Sequence, residues 1–75
     1  MDWLIAREKK WDQIIAYWDQ FIELDPNESW AYVERGGAYY HKGDMKEAVR
    51  NAKIAADMGN EDGRKAYERF RHLVE

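Results

Sequence analysis

The chain has 75 residues, among them four Trp, five Tyr, two Phe and no Cys, and its 12 basic and 15 acidic side chains leave a formal charge of −3. That length suits one small domain, which buries only about 60% of its unfolded surface and so stands near the limit of independent stability. Disulfides, thiolate metal sites and cysteine nucleophiles are excluded. The basic residues are too scattered for a nucleic-acid stripe, and no apolar run is long enough for a membrane span or a signal segment.

In chain order, apolar residues from Trp11 recur at Ile14, Ile15, Trp18, Phe21, Ile22 and Leu24, a wide stripe at helical spacing. Asp25-Pro26-Asn27 ends that segment, because proline cannot continue a helix. The next segment places Trp30, Val33, Gly36, Gly37 and Tyr40 on one flank and Tyr32 and Tyr39 on the other, and Gly43 stops it. Met45, Ala48, Val49, Ala52, Ala55 and Ala56 follow, an alanine-rich face that another helix can approach closely, with Gly59 as its stop. Ala66, Tyr67, Phe70, Leu73 and Val74 pattern the last segment. Asn27, Asp44 and Asn60 stand where N-caps belong, and Asp44 with Glu47 has the spacing of a capping box. No window alternates with period two, so the expected class is all-α, with helices of about 13 to 17 residues.

Shifted by 34 residues, the chain overlays itself. Trp11-Asp12-Gln13-Ile14-Ile15 falls on Met45-Lys46-Glu47-Ala48-Val49, and Pro26-Asn27-Glu28 falls on Asn60-Glu61-Asp62. A period of about 34 residues with two helices per unit is that of the tetratricopeptide repeat. Tyr32, Gly36, Tyr39, Ala48 and Ala55 fit its aromatic, small and aromatic positions, and this segment resembles that family. Arg35, Ala52 and Asn60 depart from it, standing where Leu, an aromatic residue and Pro are usual.

The resemblance implies antiparallel helix-turn-helix repeats in a short α-solenoid. It divides residues 1–75 into a truncated repeat (1–26), a complete repeat (27–59) and a capping helix (60–75). Trp3, Leu4, Ile5 and Ala6 would be the last turns of an incomplete first helix, and Ile14 and Phe21 would fill the space that it leaves. Gly36 opposite Ala48 lets two backbones approach, which offsets the cost, about 1 kcal/mol each, of glycines inside a helix.

Chemistry is sparse. Glu68 and His72 are four residues apart, but two ligands make no tight metal site and the second histidine, His41, is remote in sequence. The carboxylates lie on solvated faces, Gly36-Gly37 precedes no phosphate-loop lysine, and Ser29 has no neighbouring histidine. The expectation is therefore a non-enzymatic module without metal or cofactor.

What the resemblance implies is a protein–protein interaction scaffold that takes a peptide or partner helix on the concave surface of its helices. Trp30, Val33, Gly37, Tyr40 and His41 would face that surface, with Gly37 leaving a notch between Trp30 and Tyr40. The lysine and asparagine that clamp terminal carboxylates in one subclass are replaced by Val33 and Gly37, so that activity does not carry over. The alternative is a homodimer built through Trp3, Trp11 and Trp18, with the same patch meeting itself across a two-fold axis. Arg35 needs a carboxylate partner if it is buried.

Overall fold

The computed structural model describes residues 3–74, with side chains described from residue 8 onward. Helix α1 spans Trp3–Leu24, α2 Ser29–Lys42, α3 Met45–Asp57 and α4 Glu61–Phe70, and a 3₁₀ turn follows at Arg71–Leu73. No strand occurs among the described residues. Consecutive helices pack as neighbours, α1 on α2, α2 on α3 and α3 on α4, and α4 also reaches α2.

The helix stops act as the sequence suggests. Asp25 still donates its N–H to the Phe21 carbonyl at 2.9 Å, and the chain then turns at Pro26. Gly43 takes the left-handed conformation (φ 100°) and donates to the carbonyls of Tyr39 and Tyr40, while Gly59 (φ 88°) closes α3 in the same way. A side chain at either position would be strained.

Two of the three expected N-caps form. Asp44 accepts from the Glu47 N–H at 3.3 Å, and Asn60 accepts from the Gly63 N–H at 3.0 Å. Helix α2 differs: its N-cap is Glu28, one residue later than Asn27, and it caps without a side-chain bond. The Glu28 carboxylate instead accepts from the Trp30 indole N–H at 2.7 Å.

Element lengths differ from expectation at both ends. Helix α1 runs unbroken for 22 residues, so Trp3 to Ala6 belong to the same helix as Ile14 and Phe21. With no Gly or Pro before Leu24, nothing stops the helix earlier. Helix α4 has only 10 residues, because the backbone tightens into the 3₁₀ turn after Phe70.

The core is small and lies along α2 and α3. Ala31, Ala48, Ala52 and Ala55 are each at most 1% exposed, and Ile15, Ile22, Tyr32, Ala38 and Phe70 are also buried. Close approach is the reason alanines suffice. A Cβ at Gly36 would stand 3.3 Å from both the Ala48 carbonyl oxygen and the Asn51 Cβ. Gly63 is tighter still, since a Cβ there would meet the Ala55 Cβ at 2.5 Å and the Ala56 nitrogen at 2.9 Å. The α3–α4 contact therefore requires glycine, a requirement that the apolar pattern of α4 does not reveal.

Arg35 links three helices. Its Nη1 pairs with Asp19 of α1 at 2.8 Å, and its Nε donates to the Asn51 side-chain oxygen of α3 at 2.7 Å. Asn51, only 2% exposed, completes its own bonding by donating to the Glu47 carbonyl at 2.8 Å. The carboxylate that Arg35 needs is thus Asp19, which lies 16 residues away in sequence. Asn60 bridges as well, donating to the Ser29 hydroxyl at 3.0 Å and tying the start of α4 to the start of α2.

Candidate functional site

Helices α1 and α2 run antiparallel, held at one end by Lys42–Asp12 (2.6 Å) and nearer the other by Arg35–Asp19 (2.8 Å). Between the two helices lies an open groove of about 490 Å³. Trp11, Ile14 and Trp18 line it from α1, and Val33, Glu34, Gly37, Ala38 and His41 line it from α2. It continues past Trp11 and His41 into a second hollow of about 360 Å³, bordered by Glu8, Tyr40 and Met45.

Aromatic contacts build the walls. The Trp11 ring stacks on His41 with centroids 4.8 Å apart, and the Lys10 ammonium lies 5.5 Å from the Trp11 ring. At the other end Trp18 meets Tyr17, Phe21 and Trp30 edge-on at 5.0, 5.7 and 5.5 Å, and Phe21 lies 5.0 Å from Trp30. Such pairs hold one another in place while leaving their outer faces in water. Tyr17 is 60% exposed and Trp30 44%.

The floor of the groove is Gly37. A Cβ built there meets nothing within 4 Å. Mid-helix glycine costs about 1 kcal/mol relative to alanine. At Gly36 the contact with α3 offsets that cost, whereas at Gly37 no contact within the chain does so.

The residues expected to bind a partner divide here. Val33, Gly37 and His41 line the groove. Trp30 stands at its end against Trp18 and Phe21. Tyr40 does not border Gly37: its ring stacks on Phe70 at 4.8 Å and joins the small core between α2, α3 and α4. The notch is therefore flanked by Trp11, Ile14 and Trp18 of the neighbouring helix, with Trp30 at its end, because Tyr40 projects toward α4. Of the residues expected in a self-association patch, Trp11 and Trp18 lie in this same groove, and the side chain of Trp3 lies outside the described residues. Two residue sets that are separate in sequence thus meet at one place.

The 34-residue shift makes the site's exposure quantitative. Ala48, Asn51, Ala52 and Ala55 of α3 are 0, 2, 1 and 0% exposed. Their counterparts in α1 are Ile14, Tyr17, Trp18 and Phe21, which are all larger and all partly or well exposed. Helix α3 packs against both α2 and α4, whereas the one extensive contact of α1 among the described residues is with α2.

Ile14, Tyr17, Phe21 and Leu24 form a seam on α1 with spacings of three, four and three, the spacing by which one helix faces another. Leu24, at 87%, is the most exposed large apolar side chain among those described.

Among the described residues, no three His, Cys, Asp or Glu side chains are grouped to hold a metal ion, and no helix is long and apolar enough to cross a membrane. No protein-family model, curated protein or solved structure matches the chain.

Proposed function

We propose that the chain is a non-enzymatic docking module, a short helical-repeat domain of tetratricopeptide type, and that the α1–α2 groove is where it receives a helix of its partner. The observation that carries this reading is Gly37, a helix-interior glycine without a neighbour on the floor of an aromatic-walled groove. Close approach by another backbone or an anchoring side chain offsets its cost, as α3 does for Gly36.

The repeat register supports a helix as the occupant. One period earlier, the relation of α2 to α3 calls for a helix antiparallel to α1 and resting on Ile14, Trp18 and Phe21. That slot is the groove. On this reading Ile14 and Trp18 narrow the slot and leave it open to an occupant. A helix at an ordinary interaxial distance of about 8–10 Å suits such a floor.

The test follows tryptophan emission as the protein is titrated with amphipathic helical peptides carrying aliphatic residues at three- and four-residue spacing. The expected result is saturable binding that Gly37→Leu weakens at least tenfold while helical content and melting temperature do not fall. Binding that is indifferent to Gly37→Leu would sink the groove assignment.

A further inference from the structure

Resting on the groove reading above, we infer that the occupant is helix α1 of a second copy of this chain, giving a two-fold dimer with a four-helix bundle of α1 and α2 at its centre.

Direction is the first argument. The empty slot takes a helix antiparallel to α1, and a two-fold axis perpendicular to α1 supplies that orientation. Register is the second. Pairing Ile14 with Phe21 of the second copy makes the apolar seam continuous, and it simultaneously sets Tyr17 against Trp18 and Trp11 against Leu24. The same register sets Lys10 against Asp25, so opposite charges meet at both ends of the seam. A parallel pairing would instead oppose Lys10 to Lys10 and Asp25 to Asp25.

The notch also fits. Within one chain Gly37 shares the groove with Ile14, so Phe21 of the second copy, level with Ile14, has the open space above Gly37 to enter.

Stability points the same way. Among the described residues no side chain larger than Asn51 is fully buried, and five of the nine buried apolar residues are alanines. Trp11, Tyr17, Trp18 and Phe21 of α1, together with Trp30, remain partly in water. A chain of this size gains stability by associating when its own core is this small.

The chain has no native cysteine, which makes cross-linking a direct test of the register. Position 17 lies beside the two-fold axis, within reach of its own copy. Position 24 lies about 20 Å from its copy along the helix, beyond the Cα separation of about 7 Å that a disulfide allows. Oxidised Tyr17→Cys is expected to run as a covalent dimer that reductant reverses, and Leu24→Cys as a monomer. Light scattering of the unmodified chain should give twice the chain mass, falling on dilution. Lys10→Glu and Asp25→Lys should each raise the dissociation constant about tenfold, and the double variant should restore it.

Equal cross-linking at positions 17 and 24 overturns the register. A monomer at every concentration that still binds amphipathic peptides in a Gly37-dependent way overturns the second copy and leaves the groove reading intact. A monomer that binds none overturns both.

Discussion

The half of the chain around α1 and the half around α3, set in register by a shift of 34 residues, are finished differently. Around α3 the closest contacts are small and closed: glycine faces alanine on both α2 and α4, and Ala48, Ala52 and Ala55 are sealed. Around α1 the same positions carry Ile14, Trp18 and Phe21, and one flank is open. Small side chains allow backbones to approach until water is excluded, whereas large ones keep helices apart and need a partner to cover them. The same helical period therefore yields a finished contact in one half and a docking surface in the other.

Exchanging residues between the halves should expose this contrast most strongly. Ala48→Ile, which copies Ile14 into the sealed position, should destabilise the chain by about 3 kcal/mol, because the backbone of α2 lies in the way. Ile14→Ala, the reverse exchange, should cost less than about 1 kcal/mol in the isolated chain, since the groove side is already open. Urea denaturation followed by circular dichroism measures both, and equal costs would abolish the distinction. On the closed side, Gly63→Ala should lower stability by about 2 kcal/mol despite alanine's better helix propensity, since its Cβ would overlap Ala55.

Arg35→Ala tests the joint between the halves. It leaves the Asn51 oxygen buried without its donor, a loss of about 2 kcal/mol. Asp19→Asn should cost less than about 1 kcal/mol, because Asp19 is half exposed and water takes over. If the two changes cost the same, the stabilisation resides in the ion pair and not in the buried amide.

The adjacent glycines should respond with opposite sign. Gly37→Ala should raise stability by about 1 kcal/mol, since nothing stands in the way of a methyl group. Gly36→Ala should bring no gain, because its methyl group would press on the Ala48 carbonyl and on Asn51, which hydrogen bonds hold in place. Thermal melts of the pair decide this, and a gain at both positions would show that the α2–α3 contact yields.

The smallest effect is expected in alkali. Burial, followed by the negative charges of Asp19 and Glu47, raises the Tyr39 pKa above its ordinary 10.0. The unfolded chain then gives up this proton first, so stability falls as pH rises past about 10. The hydrogen bond that Lys42 donates to Asp12 raises Lys42 above 10.5, and the stability of that pair is complete below 10.5 and lost as pH climbs through the higher folded value. Melting temperature should be flat through neutrality and decline from about pH 10, less steeply in Asp12→Asn. An unchanged decline in that variant would remove the Lys42 contribution.

Helix class, the stops at Pro26, Gly43 and Gly59, two N-caps and the approach of Gly36 to Ala48 were legible in the sequence, because each depends on local backbone geometry or on small residues read at fixed spacing. So was the need of Arg35 for a carboxylate, though not that Asp19 would meet it. Tertiary structure alone decided that Tyr40 turns to Phe70 and away from Gly37, that Gly63 must be glycine, and that Trp11, Trp18 and the glycine notch form one groove. Periodicity tells which face of a helix is apolar, but not which neighbour that face meets or how closely. Those follow from packing the four helices together, where a difference between alanine and tryptophan at equivalent positions separates a sealed contact from an open one.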